Sequence, residues 1–139
     1  MFRSVNALDY MTAQPVVVKP DTNIFNVIHE IIVHRVSGAS VVDSDNNIVG
    51  IISEIDCLRA ILDGSYYNEV GGTAADFMST DIESVTSHVD ILAVAKRMVT
   101  DRRRRIPVVE KGKFIGQLSV RSILKAIKDF DVPEDKSER

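Results

Sequence analysis

Cysteine occurs once in the chain, at Cys57, and tryptophan not at all. A lone thiol closes no intrachain disulfide, so the fold must be held by its core. Nothing approaches the roughly 18 consecutive apolar residues that span a bilayer, and the opening MFRSVNALDY lacks the apolar stretch of a signal peptide. These absences point to a cytoplasmic protein with no membrane partner. An excess of charge of one sign is missing too: 17 basic residues face 20 acidic ones, a net charge of -3. No global field draws the chain to nucleic acid, and any anion site has to be local. There are only three histidines, and His29 and His34 lie five apart, about 140 degrees around a helix, so they share no metal-binding face. Without a nucleophile beside a base, or a set of metal ligands, the chain is expected not to be an enzyme and to hold no metal and no catalytic cofactor.

What the sequence does have is repetition. Ala7 to Ile61 and Ala74 to Ile127 align at an offset of 67, which falls to 66 after the loop following Val42 and Val109. Met11 then matches Met78, Val18 matches Val85, Gly50 matches Gly116 and Ser53 matches Ser119. Two copies of one unit predict a pseudo-symmetric fold whose copies bury apolar faces that neither could hide alone. Its 139 residues suffice for such a core.

Within the first copy, an extended VVV segment stops at Pro20 and Asp21, and the apolar positions Ile24, Val27, Ile28, Ile31 and Ile32 follow helical spacing. The second copy repeats the stripe as Ile91, Val94, Ala95, Met98 and Val99, so the same helical face is expected to be buried in both copies. Strands are predicted at Ala39 to Val42 and Ile48 to Ile52, then at Ile106 to Val109 and Phe114 to Leu118. Helices at Ile55 to Leu62 and Arg121 to Ile127 complete a β-α-β-β-α order in each copy, an α/β (α+β) fold. The expected division is a first repeat at 7–62, a glycine-containing linker at 63–73, a second repeat at 74–128 and a charged, disordered tail at 129–139.

Two segments carry chemistry. In Gly50-Ile51-Ile52-Ser53-Glu54-Ile55-Asp56 a strand ends at a hydroxyl, with a carboxylate three residues on. That pattern is a capping box, which suffices as a structural role. The same helix N-terminus offers free N–H groups to a ligand, and its carboxylate can accept from the hydroxyls of a ribose. The second segment is Arg102-Arg103-Arg104-Arg105, leading into Ile106-Pro107-Val108-Val109. A helix C-terminus explains one or two of these cations; four adjacent ones repel each other, and their guanidinium forks suit phosphate. No aromatic platform accompanies them, so nucleic acid is not the expected partner. The copies are complementary and incomplete, because Arg35-Val36-Ser37-Gly38 stands opposite the arginines and Ser122 opposite Asp56.

The Arg105–Val109 and Gly50–Asp56 runs resemble the motifs of the CBS (cystathionine-β-synthase-type) domain, and the tandem, from about Ala7 to Ile127, resembles a Bateman module. The resemblance implies a regulatory sensor that binds an adenosine ligand of the AMP, ADP or ATP class in a cleft between the repeats and signals to an unidentified effector protein. It further implies a homodimer. Carried over by residue, Ile51 walls the base, Ser53 and Asp56 meet ribose and phosphate, Thr80, Asp81 and Ile82 line the adenine, and Arg103, Arg104 and Arg105 approach ribose and phosphate. A second cleft, around Pro15, Val16, Ser37, Ser119 and Ser122, departs from the family pattern: Ser40 stands for a proline, Gly38 for a basic residue and Ser122 for an acidic one. The competing expectation is a structural dimerisation module with vestigial pockets.

Overall fold

The computed structural model describes residues 6–12, 15–66 and 71–130. Residues 67–70 of the expected linker, and all of the expected tail beyond Phe130, lie outside them. In chain order the elements are β1 (Val17–Val18), α1 (Ile24–His34), β2 (Gly38–Val42), β3 (Ile48–Ser53), α2 (Glu54–Tyr66), α3 (Ala74–Phe77), β4 (Val85–Thr86), α4 (Ile91–Asp101), β5 (Arg105–Glu110), β6 (Lys113–Ser119) and α5 (Val120–Phe130), preceded by a 3-10 turn at Ala7–Asp9. Each copy thus follows the predicted β-α-β-β-α order. No helix among the described residues is long and apolar enough to cross a membrane.

The chain forms two compact units that do not coincide with the two sequence repeats. One comprises the described residues of Gln14–Glu83 with Lys111–Phe114; the other comprises those of Met1–Ala13, Ser84–Glu110 and Ile115–Arg139. In effect the leading segments are exchanged: residues 71–83 pack with the first repeat, and residues 6–12 pack with the second.

In the first unit, β2 lies between β1, parallel to it with Val17 opposite Ser40, and β3, antiparallel with Ala39 opposite Ile52. A parallel pair needs a crossover, and α1 supplies it. The core holds Val18, Ile24, Val27, Ile31, Ala39, Val41, Ile52, Cys57, Ala60 and Ala74. Helix α1 starts later than Pro20 and Asp21 suggest, because those residues turn and the side chain of Asn23 accepts from the Phe25 N–H at 2.8 Å as the N-cap. Helix α2 runs past Leu62 through Asp63 and Gly64 to Tyr66. The leading segment of the second repeat is tied in by backbone bonds from Ala74 N–H to Thr22 O and from Ala75 N–H to Pro20 O, both 2.9 Å. In the turn between β2 and β3, Asp43 Oδ1 accepts from the N–H groups of Asp45 and Asn47, both at 2.9 Å, and Lys113 Nζ donates to Asp45 O at 2.8 Å.

The second unit repeats these solutions. β4 is parallel to β5, with Val85 opposite Val108, and β5 neighbours β6. Ala7 N–H donates to Val89 O and Leu8 N–H to Ser87 O, the counterparts of the Ala74 and Ala75 bonds. Its core includes Ile91, Val94, Met98, Ile106, Val108, Leu118, Ile123 and Ala126.

In both units the apolar stripe of the crossover helix is broader than the face that the sheet covers. Ile24, Val27 and Ile31 are buried, as are Ile91, Val94 and Met98, but Ile32 is 69% exposed and Val99 82%. The expectation that the whole stripe is buried is therefore corrected at its last position: the sheet covers about three positions in two turns, and the next residue points past its edge.

Candidate functional site

The end of β3 and the start of α2 form the capping box that the sequence predicts. Asp56 Oδ2 accepts from the Ser53 N–H at 2.8 Å and from the Ser53 hydroxyl at 2.9 Å, while Ser53 Oγ accepts from the Asp56 N–H at 3.2 Å. The other carboxylate oxygen, Oδ1, accepts from Arg59 Nη2, one turn further along α2. The Asp56 side chain is 14% exposed and that of Arg59 52%. The motif alone did not single out Arg59. Its i+3 spacing from Asp56 was the available signal.

Ile51 joins this group through the strand. Its N–H donates to Ser79 O at 3.0 Å and its carbonyl accepts from the Ser79 N–H at 2.8 Å. This isolated bridge puts the chain entering Thr80, Asp81 and Ile82 beside the strand that carries Ser53. Thr80 and Asp81 are exposed and Ile82 half-buried, in a tight turn closed by Ile82 N–H to Thr80 O at 3.0 Å. Six of the expected ligand residues, Ile51, Ser53, Asp56, Thr80, Asp81 and Ile82, therefore belong to one compact unit, although the sequence divides them between two repeats. Close approach of the two segments requires Gly50: a Cβ there would lie 2.3 Å from Met78 Sδ and 3.2 Å from its Cβ.

The three remaining expected residues belong to the other unit. Arg102 caps α4 in the left-handed conformation at φ 57°, a setting where glycine is the usual residue. Arg103 N–H donates to Met98 O at 3.0 Å, and Arg105 opens β5. Arg104 is exposed, while Arg103 and Arg105 are half-buried. The run thus spans a cap, a turn and a strand start, which sends successive side chains in different directions.

Of the second cleft, Pro15, Val16 and Ser37 fall in the first unit and Ser119 and Ser122 in the second. Within the second unit, Ser119 and Ser122 line a cavity of about 510 Å³ with Tyr10, Thr12, Arg121 and Lys125. Ser122 Oγ accepts from the Ser119 N–H at 2.8 Å and donates to Ser119 O at 2.8 Å. The hydroxyl thus serves the helix cap from a position that offers no carboxylate.

Cys57, next to Asp56, is only 5% exposed. Burial pushes its thiol above the ordinary range, and the charges of Asp56 and Glu54 push the same way. Such a thiol is inert at neutral pH. It lies in the wall of an apolar groove of about 340 Å³ between α1 and α2, lined also by Ile28, Ile32, Ile55, Leu58 and Ile61.

Residues 7–63 and 74–129 each match the model of the CBS domain. The chain is 29% identical over 119 residues to MJ1225 of Methanocaldococcus jannaschii, an alignment covering 86% of this chain and 41% of that protein, so the chain spans less than half the length of this relative. Among solved structures, CBSX2 in complex with AMP superposes with a TM-score of 0.80 at 24% identity, covering 91% of this chain and 98% of that one. The CBS domain pair of MJ0100 in complex with 5′-methylthioadenosine and S-adenosyl-L-methionine superposes with a TM-score of 0.76 at 18% identity, covering 89% and 96%.

Proposed function

Because the chain belongs to the CBS-domain family, we propose that it is a regulatory module that binds an adenosine ligand of the AMP, ADP or ATP class and passes the signal to an effector protein, without catalysing a reaction. The observation that carries this reading is the Ile51–Ser79 bridge. It brings the Thr80–Ile82 turn, suited to an adenine edge through its backbone and side chains, beside the strand that ends in Ser53 and Asp56. Asp56 is the acceptor for the ribose hydroxyls, Ile51 contributes the apolar wall beside the base, and Arg103, Arg104 and Arg105 are the residues that would meet phosphate. AMP with CBSX2, and the two adenosine compounds with the MJ0100 pair, support an adenosine-type ligand. The second cleft, with Ser122 in place of a carboxylate, is proposed not to hold a ribose.

The test is a melting curve with AMP, ADP, ATP and S-adenosylmethionine in turn. A ligand at a hundred times its dissociation constant adds about 2.7 kcal/mol to stability. A melting temperature unmoved by all four sinks the proposal.

Exposed apolar helix faces favour a second role beside it, self-association. Ile32, Ile55, Leu58 and Leu62 on α1 and α2 are 69%, 63%, 59% and 67% exposed, and Val99 and Leu124 on α4 and α5 are 82% and 61% exposed. Faces of this kind mark interaction surfaces, and the proposed occupant is a second copy of the chain. A homodimer that converts to monomer in sedimentation velocity when Ile32 and Leu58 are replaced by Glu supports it; a monomeric wild type at 100 µM refutes it. Dimerisation with no response to any adenosine compound would leave the module as a scaffold.

A further inference from the structure

Asp56 already has three donors on its carboxylate: the Ser53 N–H and hydroxyl on Oδ2, and Arg59 on Oδ1. A carboxylate offers about four lone-pair positions. A ribose presenting two hydroxyls needs two of them, and a single one is left. One donor must therefore leave before the diol can be held in full. The two Ser53 bonds close the cap of α2 and are local to its first turn. The Arg59 pair is the cheapest to open, since the Arg59 side chain is 52% exposed and such surface pairs contribute little.

Resting on the reading that Asp56 receives the ribose, we propose that Arg59 is a built-in competitor for the ligand, a residue that sets affinity by occupying Asp56 Oδ1 until the ribose displaces it. The second repeat keeps a base at the matching position, Lys125, but has Ser122 where Asp56 stands. The pairing is accordingly confined to the repeat that has the carboxylate.

The probe is adenosine, which carries no phosphate and so reports the ribose contact without an added attraction to a freed guanidinium. Calorimetry on the full chain compares wild type, Arg59→Ala and Arg59→Lys at 50 and 500 mM NaCl. Removing the competitor is expected to tighten adenosine about two- to fivefold at 50 mM, with the lysine variant in between. Added salt screens the pair, so wild-type affinity should rise with salt while that of Arg59→Ala stays level. That response is opposite in sign to ordinary charge-driven binding.

Unchanged or weaker binding by Arg59→Ala, with wild type still binding and still sensitive to Asp56→Ser, overturns the competitor role and leaves the ribose reading standing. Adenosine binding that is insensitive to Asp56→Ser, or absent from every variant, removes both.

Discussion

Replacing Asp56 by Ser separates the two roles that this residue combines, because the same chain already contains the control. At the matching turn of the second repeat, Ser122 accepts the Ser119 N–H at 2.8 Å, the distance at which Asp56 accepts the Ser53 N–H. A serine at 56 can therefore keep the cap while removing the charge and the second oxygen. Losing a cap altogether, as in Asp56→Ala, costs about 1 kcal/mol. For a chain of this size that lowers the melting temperature by about 3–6 °C. Asp56→Ser should lose only a fraction of this. Its effect on binding should be much larger: removing a charged partner of the ribose hydroxyls costs about 1.5–3 kcal/mol, a weakening of roughly ten- to hundredfold. Calorimetry with AMP beside a melting curve reads both numbers on one sample. A serine variant that melts lower yet binds AMP as wild type does would show that Asp56 is a cap and nothing more, and the reasoning about the ribose would be refuted.

Gly116→Ala should be the more damaging of the two matched glycine changes, by about 1–3 kcal/mol. The new Cβ would meet the carbonyl oxygen of Thr12 at 2.7 Å, whereas at Gly50 it meets the side chain of Met78, which can move; urea denaturation ranks the pair. Arg35 ends α1 at φ 55°, so Arg35→Gly should stabilise the chain by up to about 1 kcal/mol in the same assay; a loss of stability would contradict the cap assignment. Asp43 is held below its ordinary value of 3.8, first by the Asn47 backbone N–H and then by the Asn47 side chain. Its contribution is present above that value and disappears as pH falls through the lower folded value, so Asp43→Asn should be less stable than wild type at pH 6 and converge with it in strong acid. Cys57, buried and pushed up, should react with iodoacetamide more slowly in the folded protein at pH 8 than after unfolding in urea; equal rates would refute its burial.

Local patterns carried most of the element assignment. The stripes from Ile24 and from Ile91 marked α1 and α4, and the β-rich runs beginning near Ala39, Ile48, Ile106 and Phe114 became β2, β3, β5 and β6 with ends moved by a residue or so. Ser53 and Asp56 announced their own hydrogen bonds by spacing alone. The partnership of segments was not legible, because periodicity reports which face a segment buries and is silent on which strand it meets. Hence Thr80, Asp81 and Ile82, read as part of the second repeat, pack in the unit of the first through the Ser79 bridge. The matched Met11 and Met78, aligned with no role attached, are the side chains that meet Gly116 and Gly50. Gly64 misled as a linker marker, since a glycine costs a helix about 1 kcal/mol, which packing can offset, and α2 continues through it.

A crystal structure of the chain grown with AMP tests the central claim most directly. The account predicts ribose hydroxyls on Asp56, the adenine against Ile51 and the Thr80–Ile82 turn, and the Arg59 guanidinium withdrawn from Oδ1. AMP bound elsewhere, or bound there with the Arg59 guanidinium still on Oδ1, would contradict it.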